Sequence, residues 1–234
     1  MTVRVQGADG PPAGVMQRAA LILDALDGVE LLNLSQIAAA TRLPLSSTHR
    51  ALEQMLALRW VHRIGRDYQL GMRIIELGSA ASHQNALRSA ALPSLYWLHR
   101  ATGCVVHLGV LDGDEAVYLE KVGGGLATGV RSRVGLRLPA RSSVIGKALL
   151  AGSSNSTARD VARVREARVV CEHEGCRKGF SCLAVPIGAL GHGEAAAISV
   201  FGPVSKVRTD HRIRLSVQTA AADIARRMAL AQRP

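Results

Sequence analysis

Cysteine is scarce in this chain of 234 residues. The four thiols, at Cys104, Cys171, Cys176 and Cys182, are too few to frame a disulfide-stapled secreted domain. The opening MTVRVQGADGPPAG lacks the apolar core of a signal peptide. No apolar run approaches the ~18 residues that span a bilayer. A cytoplasmic protein with reduced thiols and no membrane partner is expected. Internal repeats and low-complexity tracts are lacking too, beyond a bias toward Ala and Arg.

Catalytic signatures are equally thin. Gly146-Lys147-Ala148 is no phosphate loop, because Arg141 stands where that motif needs Gly and Ala148 where it needs Ser or Thr. Gly123-Gly124-Gly125 lacks the third spaced Gly of a dinucleotide fingerprint. Ser143 and Lys147 miss the Ser-x-x-Lys spacing, and no Gly-x-Ser-x-Gly elbow occurs. Cys171, His173, Cys176 and Cys182 invite a metal reading, yet C-x-H-x2-C-x5-C has no paired short gaps of a zinc site. A buried or pocket-lining thiol is the better reading for Cys182. Neither an enzyme nor a cofactor is expected.

The chain carries a net charge of +11 and a pI near 10.5, which favours an anionic partner, nucleic acid first. The excess is unevenly spread. Residues 1–85 hold eight basic and seven acidic side chains, so most of the surplus lies beyond them. Within residues 42–73, however, six arginines face only Glu53 and Asp67, with His49 and His62 beside them. That local stripe has the sign a phosphate backbone requires.

Periodicity divides the chain into a polar Gly/Pro tail (1–14), a winged helix-turn-helix (15–72), a linker helix (73–85) and a second domain (86–234). Ala19, Ile22, Leu23 and Leu26 recur at helical spacing and Gly28 can end that helix. Ser35 is the expected cap of a short helix with Ile37 and Ala38 inward, and Arg42-Leu43 makes the turn. Pro44 is expected in the first turn of the next helix, where its missing N–H goes unmissed. Thr48, Leu52, Met55 and Leu56 form that helix's inward stripe. Ser46, Ser47, His49, Arg50 and Gln54 then face outward, a set able to touch phosphates and base edges of double-stranded DNA. A hairpin around Gly65-Arg66-Asp67 follows, with Arg63 and Arg66 at its tip for backbone contact.

From Ala86 to Thr102 the spacing predicts a long helix ending at Gly103. CVVHLGVL and AVYLEKV read as a hairpin, and Val144 to Ala151 as a helix. Residues 158–167 should form another helix, LAVPIGAL and EAAAISVFG a second hairpin joined at Gly191-His192-Gly193, and Val207 to Ala231 a closing helix. Strand pairs interleaved with helices predict an α+β domain on an antiparallel sheet. Arg131, Arg133, Arg137 and Arg141 read either as a solvated strand edge or as an anion clamp, with Arg141 the serious clamp candidate.

These motifs resemble the IclR-type bacterial transcriptional regulators over essentially the whole chain after the tail. LPLSSTHRALEQM and YQLGMRIIELG carry the resemblance in the first half. SRVGLRLPARSSVIGKALLA, GFSCLAVP and AAAISVFGP carry it in the second. The resemblance implies a GAF-like α/β sensing domain that binds a small organic or aromatic acid, in proteins acting as homodimers or dimers of dimers. It further implies a pocket at Leu138, Ser142, Ser143, Val144, Ile145, Glu172, Cys182 and Ser199. Departures from the family pattern are Arg42 for a frequent turn Gly, Leu45 for a usual basic residue, and Val144 and Phe201 for smaller ones, which would make the pocket more apolar. A second reading keeps only the small-molecule module, acting through protein contacts with a weakened DNA-binding head.

Overall fold

The computed structural model describes residues 14–125, 129–153, 169–173, 177–189, 195–207 and 211–231. The chain divides into two compact units between Ser82 and His83.

In the first unit, α1 (Val15–Leu26) buries Ala19, Ile22 and Leu26, the expected stripe. A short strand, β1 (Leu32–Asn33), leads into α2 (Leu34–Thr41). The cap of α2 is Asn33 and not Ser35. Asn33 Oδ1 accepts from Gln36 N at 2.9 Å, while Gln36 Oε1 accepts from Asn33 N at 2.8 Å. Asn33 wins because a Gln stands three residues on to satisfy its own N–H, whereas Ser35 has only Ala38 there.

Helix α3 (Leu45–Ala57) begins one residue after Pro44, which is the N-cap with ψ 140°. The Pro44 carbonyl already accepts from Thr48 N at 2.9 Å and Thr48 Oγ1 at 3.1 Å, so Pro44 opens the helix without entering it. Between the helices Arg42 adopts φ 56° and ψ 24°, the left-handed region where a Cβ crowds the next carbonyl. Arg42→Gly is therefore expected to stabilise the first unit by about 0.5–1 kcal/mol, after subtracting the extra freedom Gly gives the unfolded chain. Urea unfolding of the two proteins checks this, and a lower midpoint for the Gly variant would refute it.

Strands β2 (Val61–Ile64) and β3 (Asp67–Leu70) pair with Ile64 opposite Asp67. The turn is thus the two residues Gly65-Arg66, with Gly65 at φ +60°, and Asp67 belongs to the strand. β1 joins the far side of β3, giving the order β1-β3-β2. Ile22, Ile37, Leu52, Met55, Val61 and Tyr68 close the core. Helix α4 (Met72–Gln84) buries none of its residues. Arg73 Nη1 and Arg59 Nη2 grip the two Glu76 oxygens at 2.9 and 2.6 Å, and these bonds, that from Arg73 foremost, hold the Glu76 carboxyl below its usual range.

In the second unit, α5 (Ala86–Thr102) is capped by Asn85 Oδ1, accepting from Arg88 N at 2.8 Å, and ends at Gly103 with φ 65°. Then come β4 (Val105–Asp112), β5 (Glu115–Val122), β6 (Arg137–Pro139) and α6 (Val144–Gly152). The described remainder comprises β7 (Val170–His173), β8 (Phe180–Ala189), β9 (Ala195–Pro203), α7 (Val204–Val207) and α8 (His211–Ala231). The six strands form one sheet, ordered β6-β5-β4-β9-β8-β7, with every pairing antiparallel. The helix expected over 158–167, the turn at Gly191-His192-Gly193 and Cys176 lie outside the described residues.

The sheet is buried on both faces. On one, α5 and α8 supply Leu95, Leu98, Val217 and Ile224 against Val106, Leu108 and Ile198. On the other, α6 lays Ile145, Ala148 and Leu149 on Ala116, Ala184 and Ala197. Gly109 permits this approach, since a Cβ there would come within 2.9 Å of Ile145 Cδ1. The four arginines do not share a strand edge: only Arg137 lies on β6, and it pairs with Asp112 and Glu115 at 2.7 Å each. Arg131, Arg133 and Arg141 are exposed in the flanking loop and turn, because only residues 137–139 find a partner strand.

Asp223 ties α8 to α5. It accepts from Arg226 at 2.6 Å, Arg227 at 2.8 Å and the Ser94 hydroxyl at 2.7 Å, and those bonds, led by Arg226, hold its carboxyl far below the ordinary range. A depressed carboxylate contributes stability above its unfolded value near 3.9, and loses it as pH falls through that value toward the folded one. The melting temperature of the parent is thus expected to fall more steeply than that of Asp223→Asn between about pH 4 and pH 2. Parallel acid melts of the two would count against this assignment.

Candidate functional site

The first candidate surface belongs to α3. Its inward side is Thr48, Ala51, Leu52 and Met55, all buried, which fixes the rotation of the helix and turns Ser46, His49, Arg50 and Gln54 outward. Ser47 is partly buried. Leu34, Leu45, Ser46, His49, Arg50 and Glu53 line an open hollow of about 780 Å³. His49 Nε2 stands 3.8 Å from Glu53 Oε1 one turn along. Leu45, the first residue of α3, is 52% exposed, where a basic side chain would reach a phosphate. Arg63 and Arg66 are exposed on the β2–β3 hairpin. An exposed helix with hydroxyl, imidazole, guanidinium and amide groups, followed by a basic two-residue hairpin tip, can present donors and acceptors to a major groove and charge to the flanking backbone.

The second candidate site lies on the α6 face of the six-stranded sheet. Directly opposed residues of antiparallel strands project to one face, so register defines two rows. One runs Lys121, His107, Ser199, Ala184 and Val170 across β5, β4, β9, β8 and β7. The next runs Val105, Phe201, Cys182 and Glu172. Ser199, Cys182, Glu172 and Phe201 are thus brought together. Leu138 also shares this face, opposite Ala116.

The residues around α6 divide. Ser143 is the N-cap, its Oγ accepting from Gly146 N at 3.2 Å, and Val144 and Ile145 are buried beneath it. Ser142 and Arg141 are exposed in the preceding turn, with Ser142 Oγ donating locally to Pro139 O at 3.4 Å. Phe201 is buried and stacks on Phe180 with ring centroids 5.1 Å apart. Cys171 Sγ lies 3.9 Å from the His173 ring nitrogens, whereas Cys182 shares a face with Glu172.

Sequence reasoning missed the polar heart of this face. His107 is 3% exposed, stacked on Tyr118 at 4.6 Å, and its Nε2 lies 2.7 Å from Ser132 Oγ. Burial, with Lys121 adding to it, pushes the imidazole down to about 3, so it is neutral at physiological pH. Lys121 Nζ donates to the carbonyls of Val130 and Ser132. The one signal in the sequence is a histidine inside CVVHLGVL, a run too uniformly apolar to disclose a face.

Comparisons with known proteins match both units. The model of the IclR helix-turn-helix domain matches residues 15–65, and that of the bacterial transcriptional regulator IclR C-terminal region matches residues 79–164. The HTH-type transcriptional regulator XynR of Escherichia coli is 29% identical over 219 residues, covering 82% of this chain and 87% of that protein. The crystal structure of the Thermotoga maritima IclR aligns with a TM-score of 0.70 at 24% identity, covering 91% of this chain and 98% of that one. An IclR homolog from Microbacterium hydrocarbonoxydans, complexed with 4-hydroxybenzoate, aligns at 0.79 and 22% identity, covering 93% and 100%. At such identities the structures speak for the fold.

Proposed function

Because this chain belongs to the IclR family of bacterial transcriptional regulators and carries its helix-turn-helix domain, we propose that α3 and the hairpin after it read an operator, and that the second unit governs that reading by binding a small organic or aromatic acid. Residues 15–72 serve as the DNA-binding head, 73–85 as the link and 86–234 as the effector domain, in a cytoplasmic homodimer. Each dimer lays two α3 helices in successive major grooves of a roughly palindromic site. Ser46, Ser47, His49, Arg50 and Gln54 face the bases and nearby phosphates, and Arg63 and Arg66 face the backbone. The single observation that carries the reading is the outward set on α3, held there by the buried Thr48, Leu52 and Met55.

The acid class draws support from the Microbacterium relative, whose complex holds 4-hydroxybenzoate, and from the face bearing Ser199, Cys182 and Phe201. Leu138, Ser142, Ser143, Val144, Ile145 and Glu172 border it, and Arg141 stands at its rim. Ligand alters DNA binding only as far as it prefers one arrangement of the heads over another.

Gel shifts on the intergenic DNA flanking the gene test the first half of the proposal. Binding that weakens steeply with added salt is expected, because bound cations leave the phosphates. Failure to bind at low salt would favour the reading in which the sensing module acts through protein contacts. A thermal-shift screen of organic acids tests the second half, since a ligand of the folded state raises its melting temperature.

A further inference from the structure

Two helix starts bring two leucines to the hollow on α3. Leu34 is the first residue of α2 and Leu45 the first of α3. Each start is pinned, α2 by the reciprocal bonds of Asn33 and Gln36, and α3 by the Pro44 carbonyl, which accepts from both the amide and the hydroxyl of Thr48. Leu34 is half-buried and packs against the core of the first unit, which makes it a fixed wall. Leu45 lines the same hollow and is 52% exposed. The rest of the lining is polar: Ser46, His49, Arg50 and Glu53.

A single exposed leucine needs no explanation on most of a protein surface. Here its neighbours supply one. Ser46, His49 and Arg50 belong to the outward set of α3, and the stretch 42–73 around them carries six arginines against two carboxylates. A partner that fits this surface is anionic on its outside, offers hydrogen-bonding edges within, and projects an apolar group toward the two leucines. Duplex DNA meets all three conditions at a thymine. In the major groove that base presents the O4 acceptor and a C5-methyl group, the apolar contact that the other three bases lack. A recognition helix addresses base edges with its N-terminal residues, and Leu45 stands at that end of α3.

A basic side chain at this position would bond a phosphate, which fixes register and carries no sequence information. Leucine gives up that contact and offers discrimination in its place. A methyl group covered by Leu45 leaves water together with it, whereas a cytosine edge has no such group to bury.

We infer that Leu45, backed by Leu34, is a specificity determinant that covers the C5-methyl group of a thymine in the operator, a reading that rests on α3 being the helix in the major groove. The operator of this chain then holds at least one thymine that neither cytosine nor uracil can replace without loss of affinity.

The test uses the full chain and the intergenic DNA flanking the gene, prepared with uracil at sparse, random thymine positions. Uracil keeps the hydrogen-bonding groups of thymine and lacks only the methyl. Bound and free fragments are separated on a gel and cleaved at uracil, so a thymine whose methyl is needed shows as a position depleted of uracil in the bound fraction. The parent should show such depletion within its site, with binding weakened about fourfold for each methyl lost, the effect of returning one methylene-sized group to water. Leu45→Ala should bind the all-thymine fragment more weakly by at least that factor and show no depletion at the same thymines. It should melt with the parent, because the side chain is exposed and Ala favours a helix. Leu45→Met, which keeps an apolar side chain of similar reach, should restore the depletion. A merely structural role for Leu45 predicts instead a lower melting temperature in Leu45→Ala with the depletion unchanged. Depletion in Leu45→Ala equal to that in the parent would assign the methyl to another residue and overturn the inference, as would a parent indifferent to uracil at every position. In both cases the all-thymine fragment is still bound and the operator reading stands. If the parent bound no fragment at low salt, that reading would fall and the role of Leu45 with it.

Discussion

Replacing Arg50 with Ala is expected to weaken operator binding by about 1–3 kcal/mol, roughly five- to 150-fold, while leaving the melting temperature unchanged. The side chain is exposed on α3 beside Ser46 and His49, and among the described residues it makes no hydrogen bond or ion pair that its removal would break. Its neighbour His49 is differently placed, with Glu53 standing 3.8 Å away one turn along the helix. Fluorescence anisotropy across a salt series also tells what Arg50 touches. Loss confined to sequences sharing one base pair indicates a guanine edge, whereas a uniform loss with a salt slope shallower by about one indicates a phosphate. An Ala variant that binds as well as the parent would remove α3's outward face from the reading.

The largest stability effect should come from Gly146→Ala. Gly146 sits in the first turn of α6, and a Cβ there would overlap the carbonyl oxygen and Cα of Ala140 as well as Ser143 Oγ. Two of these atoms are backbone, which cannot rotate aside, and the third is the hydroxyl that caps the helix. The helix must therefore shift off Ala140, disturbing Ile145 and Leu149 on the sheet. Overpacking of this kind costs about 3 kcal/mol or more. Calorimetry should show the second unit melting lower by roughly 6–12 °C, given the 2–4 °C per kcal/mol usual for chains of this size. An unchanged transition would mean that the first turn of α6 is looser than its contacts suggest.

How far the sequence could be read depended on which physical signal each element emits. α1, α3 and α5 have one wet and one dry side, so their buried residues recur at helical spacing and were legible. The bounds of α5 were legible as well, because Gly103 supplies the left-handed residue that ends it. The first cap was not: Asn33 and Ser35 are both good capping types, and only the partner three residues on decides between them. β1 is two residues long, too short for any alternation to register. On the six-stranded sheet the strands are covered on both faces, so β4 and β9 read as apolar runs that announce strands without announcing sides. Ser199 could be singled out only through a family motif. His107, which no motif marked, becomes visible once register sets it opposite Ser199 and Lys121.

Strand β9 lies between β4 and β8, and Ala195 through Gly202 are all buried. Its amides can meet solvent only when the sheet itself comes apart, so they should be the slowest-exchanging protons of the second unit and their rates should report its global opening. A ligand that binds only the closed protein slows such exchange by the factor one plus its concentration over its Kd. Deuterium uptake in a peptide spanning Ala195 to Gly202 thus measures the affinity of any candidate compound without an operator or a reporter gene, wherever on the second unit that compound binds.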